Sequence, residues 1–178
     1  MAVTIKLPTQ LRGAAGGAAE AQADGATVGE VPTMNGSQAE GCSPVAQAFA
    51  AGRDWCQPVK PDTIAKSLAI GNPADGPYAL DVARATGGSI DSVTDDEIRA
   101  GIRLLAETTG IFTETAGGVT IATLAKLAAR GDIGADERVV IVITGEGLKT
   151  LDAVRGTFES YEIEPKLEAF ESAVGVTA

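Results

Sequence analysis

An open α/β layer, with a mainly parallel sheet and flanking helices, is the fold class that this sequence predicts. Two observations carry it. Helix-like and strand-like stretches alternate from about residue 34 to residue 155, and Arg138-Val139-Val140-Ile141-Val142-Ile143 is a nearly continuous apolar run of the kind found where helices cover both faces of a parallel sheet. A third observation is compositional. Of 178 residues, 44% are hydrophobic but only 4% aromatic, so a core can form, built mainly from alanine, valine, leucine and isoleucine. Such a length suits one domain, or one domain with a small appendage.

Taken in order, Val3-Thr4-Ile5-Lys6-Leu7-Pro8 alternates apolar and polar side chains and predicts a first strand. After a glycine-rich turn at 12–17, residues 18–23 predict a second, weaker strand and hence a hairpin. Thr27-Val28-Gly29-Glu30 has the spacing of a helix capping box, but Pro32 follows too soon for a regular helix to continue. Ser43-Pro44 predicts the cap and first position of a short helix that stops at Gly52. Residues 58–77 form a long connection, Pro77 opens a second helix to about Thr86, and 89–93 alternates as a short strand. Thr94-Asp95-Asp96-Glu97 is a second capping box, followed by Ile98, Ile102, Leu104 and Leu105 on helical spacing and then by Gly110. Ile111-Phe112 predicts a brief strand and Gly117-Gly118 a turn, after which Val119, Ile121, Leu124 and Leu127 predict a helix ending near Arg130-Gly131. The buried strand at 138–143 comes next, and Pro165 opens a terminal helix toward Ala173.

A formal net charge of −10 makes nonspecific binding to nucleic acid or to an anionic membrane surface unfavourable. No apolar run reaches the roughly 18 residues of a membrane span, and Met1 leads into an alternating strand pattern rather than a secretory signal, so the expected setting is cytoplasmic. Histidine is absent, which excludes a cysteine–histidine zinc site or a histidine-based triad within the chain. Cys42 and Cys56 read as reduced packing groups and are given no function.

Chemistry is best sought at Thr144-Gly145-Glu146-Gly147, because ligands of open α/β sheets bind outside the carboxyl ends of the strands. The Thr144 hydroxyl can donate or accept, and flanking glycines let a flat ligand approach the backbone; a tight strand exit with no ligand is the alternative. Ala116-Gly117-Gly118-Val119-Thr120, placed before a helix, can offer backbone donors to an anion or can serve close helix packing. Neither a dinucleotide fingerprint nor a phosphate loop is present.

Four strings then narrow the reading. Met34-x-Gly36-x-Gln38-Ala39-x-Gly41-Cys42-x-Pro44, Thr63-Ile64-Ala65-Lys66-Ser67-x-x-Ile70-Gly71-Asn72-Pro73, Thr113-Glu114-x-x-Gly117-Gly118 and Val142-Ile143-Thr144-Gly145-x-Gly147-Leu148-Lys149 stand in the order in which threonine synthases carry very similar strings. Residues 32–155 thus resemble the C-terminal half of a pyridoxal-phosphate-dependent threonine synthase, within the wider group of tryptophan synthase β subunits and threonine dehydratases. Residues 1–31 form a separate segment, whose first thirty or so residues resemble the start of a ubiquitin-like sulfur carrier; such carriers end in a diglycine tail, whereas this chain ends Val174-Gly175-Val176-Thr177-Ala178.

The resemblance implies a half tryptophan-synthase-β-like fold over 32–178 and an enzyme that converts O-phospho-L-homoserine to L-threonine and phosphate with pyridoxal 5'-phosphate as electron sink. It implies that Thr144 and Gly145 meet the cofactor, Thr144 at the pyridine nitrogen, and that Glu114 and the Ile70-Gly71-Asn72 turn line it. A neutral hydroxyl at that nitrogen does not hold it protonated and so restrains electron withdrawal. The family's Schiff-base lysine and phosphate-cradling loop belong to the other half, and neither Lys66 nor Lys149 occupies the Schiff-base position, so the chain is expected to be inactive alone. Partners on this reading are an amino-acid substrate and a complementary N-terminal half, or further copies in a homo-oligomer. The alternatives are a non-enzymatic fragment that binds a ligand or partner, and a sulfur-carrier relative.

Overall fold

The computed structural model describes residues 3–6, 20–23, 32–158 and 161–175. The turn expected at 12–17 and the capping box at 27–30 lie outside them. Two antiparallel strands, β1 (Val3–Lys6) and β2 (Glu20–Ala23), pair as a hairpin with Val3 opposite Ala23.

The α/β layer is built around a parallel pair, β3 (Gly36–Ala39) and β4 (Ile90–Val93), in which Gly36 stands opposite Ile90 and Ala39 opposite Val93. Side chains on a strand alternate between faces, and the two faces of this pair collect different cores. On one side Ile90 joins Val45, Ala46 and Ala48 of α1 (Pro44–Ala50) and Leu80 and Ala83 of α2 (Gly76–Ala85). On the other, Ala39 and Val93 join Ile98 and Ile102 of α3 (Asp95–Thr109) and Val119 and Ala122 of α4 (Thr115–Arg130), with Ala65 and Val154. Helices on both faces of a parallel pair are the architecture expected from the helix–strand alternation. Neither core cluster includes an aromatic residue among its fully buried members; Phe49 and Phe112 pack only at the margins.

Local signals place the helices. Thr94 accepts the Glu97 N–H at 3.2 Å while the Glu97 carboxylate takes the Thr94 N–H at 2.6 Å, closing the predicted capping box, and Gly110 ends α3 at φ 75°. For α1 the cap differs from expectation. Ser43 bonds back to the Glu40 carbonyl, and the Gln38 side-chain oxygen instead takes the Val45 and Ala46 N–H groups at 2.9 and 3.0 Å. Gly117 and Gly118 form no turn. They lie buried within the first two turns of α4, where a Cβ on Gly118 would come within 2.7 Å of Ile102 and of the Ile98 carbonyl. Gly118 thus serves close packing on α3, and Gly117 lies against Thr113, whose hydroxyl a Cβ there would overlap.

The largest correction concerns 138–143. These residues form no strand, and Val139, Val140 and Val142 are 45%, 90% and 67% exposed. The run is straight, but among the described residues it lacks a paired strand on either edge, so it cannot bury both faces. Ile111-Phe112 likewise forms no strand, although Thr113 makes an isolated antiparallel bridge to Glu146. A turn of 3₁₀ helix (Gly147–Thr150), α5 (Leu151–Val154) and α6 (Leu167–Val174) complete the chain.

Candidate functional site

The bridge between Thr113 and Glu146 brings two of the singled-out strings side by side. Glu114 N donates to the Gly145 carbonyl at 3.1 Å, Gly147 N to the Phe112 carbonyl at 3.0 Å, and the Thr113 hydroxyl to the same Gly145 oxygen at 3.1 Å. The Glu114 side chain, at the N-cap of α4, is thereby folded under the chain at Thr144, and Glu114 is only 6% exposed. Ionised, this carboxylate accepts only, so the Thr144 hydroxyl is the donor in their 3.2 Å bond. Lys149 Nζ lies 3.8 Å from the same Glu114 oxygen, with most of its side chain in solvent. The position at a helix N-terminus adds a favourable field for the negative charge.

Both glycines of Thr144-Gly145-Glu146-Gly147 are set by packing. A Cβ on Gly145 would overlap the Glu114 carboxylate, and one on Gly147 would overlap the Phe112 ring. They are therefore needed to seat Glu114 and Phe112, a reason that strand-edge reasoning does not supply. The Thr144 side chain itself stays exposed.

The Ile70-Gly71-Asn72 turn is held elsewhere. Gly71 accepts the Val59 N–H at 2.9 Å, a Cβ on Gly71 would overlap the Val59 carbonyl, and Ile70 is 58% exposed. Its string is anchored where Asp95 takes the Thr63 hydroxyl at 2.6 Å and the Ile64 N–H at 3.1 Å. It is linked to the Thr144 side through Lys66, which pairs with Asp152 of α5 at 2.6 Å, and through Ile64, Leu68, Phe112 and Val154 on a shared core. Sequence reasoning gave no site role to Thr113 or Asp95, which it named only within longer strings, or to Thr150, whose hydroxyl takes the Thr115 N–H at 3.1 Å. All three act across the fold, and only the acidic residue behind the Thr94 cap gave a local sign of itself.

Residues 10–145 match the family of pyridoxal-phosphate dependent enzymes. The chain belongs to that family. Its relatives include threonine synthases: that of Methanocaldococcus jannaschii is 44% identical over 139 residues, which are 77% of this chain and 34% of that one. The Methanosarcina acetivorans enzyme is 38% identical over 146 residues, 81% of this chain and 36% of that one. This pyridoxal-phosphate-family chain thus spans about a third of the length of these relatives. A fungal L-serine ammonia-lyase from Rhizomucor miehei shares its fold, with a TM-score of 0.53 and 20% identity over 70% of this chain and 41% of that one. The family match begins at residue 10, inside the segment 1–31 for which a sulfur-carrier resemblance is noted above; a two-stranded hairpin is common to many folds and does not separate the two.

Among the described residues no helix is long and apolar enough to cross a membrane, and no group of three or more His, Cys, Asp or Glu side chains is placed to hold a metal ion. Cys42 and Cys56 are free thiols, and burial pushes both up from the usual thiol range. A groove of about 1110 Å³ runs between the start of β3 and residues 138–142, but its lining stops two residues short of Thr144.

Proposed function

We propose that residues 32–178 supply the ring-nitrogen side of a pyridoxal 5'-phosphate site in a threonine-synthase-type reaction, O-phospho-L-homoserine to L-threonine and phosphate. Thr144 and Gly145 meet the cofactor, and Glu114 stands behind them. The Ile70-Gly71-Asn72 turn lines the site in the assembled enzyme, where a complementary segment carries the Schiff-base lysine and the phosphate loop. Residues 1–31 are a separate appendage on this reading, and the setting is cytoplasmic.

The observation that supports it is the Thr144–Glu114 pair: an exposed hydroxyl backed by a buried carboxylate, on the family's own strings. When bound, pyridoxal phosphate supplies an electron sink. Thr144 holds its proton toward Glu114, so its oxygen is left to accept from a protonated ring nitrogen, and the negative charge of Glu114 favours that protonation. This differs from the restraint that a lone hydroxyl implies.

Pyridoxamine 5'-phosphate is the suitable probe, because it lacks the aldehyde that would label surface lysines. Its fluorescence, titrated with the whole chain together with a complementary N-terminal half supplied as a separate chain, is expected to report saturable binding that Thr144→Ala weakens. Equal affinity of the two reconstituted complexes refutes the assignment of Thr144 to the ring nitrogen, and no saturable binding to either refutes the assignment of this chain to the ring-nitrogen side of the site.

A further inference from the structure

Lys149 ends the string that carries Thr144, and neither the cofactor contacts nor the packing of the fold accounts for its position. The Glu114 carboxylate is almost wholly buried, and among the described residues Lys149 is the one cation within ion-pair distance of it. Lys149 Nζ lies 3.8 Å from Glu114 Oε1, the oxygen that also takes the Thr144 hydroxyl. That separation is too long for a hydrogen bond, and the Lys149 side chain is 62% exposed. An ion pair so open to solvent adds little to the stability of a fold.

The local chain nevertheless holds the ammonium group there. Gly147–Thr150 coils as a single 3₁₀ turn, in which Lys149 N donates to the Glu146 carbonyl at 3.3 Å. A Cβ on Gly145 would overlap the Glu114 carboxylate and would lie 2.8 Å from Lys149 Nζ. One bare α-carbon thus makes room for both charges, immediately after the residue whose hydroxyl they stand behind. Other charged groups on the elements around this point are engaged with each other or face solvent. Lys66 pairs with Asp152, Arg99 with Asp96 and Arg103 with Glu107, while Glu146 and Arg155 are exposed.

We propose that Lys149 is a positioning residue that sets, through Glu114, how firmly the site holds a proton on the ring nitrogen of the cofactor. The proposal rests on the cofactor reading above and adds a third member to the Thr144–Glu114 pair. A carboxylate behind Thr144 favours a positively charged ring, and an ammonium group 3.8 Å from the same carboxylate oxygen offsets part of that field. Because Lys149 makes no hydrogen bond to Glu114, it tempers the charge without drawing the carboxylate oxygen away from the Thr144 hydroxyl. The ring nitrogen then loses its proton more readily than beside an unopposed carboxylate, and this limits the electron withdrawal that the cofactor exerts.

Pyridoxamine 5'-phosphate is again the probe, since its absorption band moves to shorter wavelength when the ring nitrogen loses its proton. The band is followed against pH with the probe saturated by the whole chain and a complementary N-terminal half supplied as a separate chain. Lys149→Met keeps the length of the side chain and removes its charge. It is expected to raise the ring-nitrogen pKa by about 0.5–1, a modest change because solvent screens so exposed an ammonium group. Lys149→Arg keeps the charge and is expected to titrate as the wild type does. A substitution that only loosened the turn at 147–150 would weaken binding and leave this pKa where it was. A ring-nitrogen pKa that Lys149→Met leaves unchanged or lowers, or a Lys149→Arg complex that titrates like Lys149→Met, overturns the proposal and leaves the cofactor site standing. No saturable binding by the wild-type complex overturns it together with the cofactor reading.

Discussion

The Thr144 hydroxyl spends its proton on Glu114, 3.2 Å away, and Glu114 is almost wholly buried beneath it. What Thr144 offers outward is therefore an acceptor backed by charge. Thr144→Ala is expected to weaken pyridoxamine phosphate binding by about 0.5–1.5 kcal/mol, the net value of one hydrogen bond, with the circular dichroism spectrum unchanged. Glu114→Gln keeps the hydroxyl and removes the charge, so it separates the two contributions: a loss as large as that of Thr144→Ala shows that the carboxylate sets the contact, and no loss shows that the hydroxyl alone does.

Gly101 of α3 and Gly118 of α4 let the two helices meet backbone to backbone. A Cβ on Gly101 would lie 2.5 Å from the Gly118 carbonyl and 3.1 Å from Ala122 N, neither of which can swing aside as a side chain does. Gly101→Ala gains helix propensity of about 1 kcal/mol at an open site, yet here overpacking of about 1–3 kcal/mol opposes it. A lower midpoint in urea is the expected outcome, and a raised midpoint would show that the helices separate freely.

Thr94→Ala is expected to cost about 1 kcal/mol through loss of the capping box, read from the same urea transition. Thr94→Ser keeps the hydroxyl and should restore most of that loss.

That box was legible in the sequence because both partners, Thr94 and Glu97, sit three residues apart, and Gly110 and Gly131 were legible as helix ends because each takes its positive φ alone. Most of the fold could be read this way, from α1 through α4, since the parallel pair and its helices announce themselves by local periodicity. What could not be read was set by distant partners. Gly117 and Gly118 look like a turn until Thr113 and α3 are laid against them, and the run at 138–143 looks like a buried strand until its edges are found unpaired among the described residues. Within the candidate site, Thr144 and Glu114 were each singled out, but their contact spans 30 positions and no spacing rule announces it. Gly145 has, beside its expected use by a ligand, a packing reason that was hidden for the same cause, because Glu114 reaches it across the fold.

Acid should unfasten β4 from α4. The Arg130 guanidinium grips Asp91 with both terminal nitrogens, each at 2.8 Å, and Ser89 adds a hydroxyl at 3.2 Å. These bonds, the Arg130 one foremost, hold the Asp91 carboxyl below its usual range, against the opposing effect of its burial; Lys126 adds a smaller pull in the same direction. A carboxylate whose pKa is lower folded than unfolded binds protons more readily in the unfolded chain, so stability rises with pH through that interval. The Asp91 contribution is therefore fully present above the unfolded value of about 4 and is lost as pH falls through the lower folded value. Glu97 and Asp152 shift in the same direction, through the Thr94 backbone N–H and Lys66 respectively, so the whole protein's acid slope does not isolate Asp91. The difference between the wild type and Asp91→Asn does. Urea unfolding followed at pH 7 and at steps downward from about pH 4 should show the gap in stability between the two proteins closing as the solution becomes more acidic. A gap that stays constant over that range would mean that Asp91 stabilises β4 by packing or by a neutral hydrogen bond, and that its charge pairing with Arg130 contributes nothing to the fold.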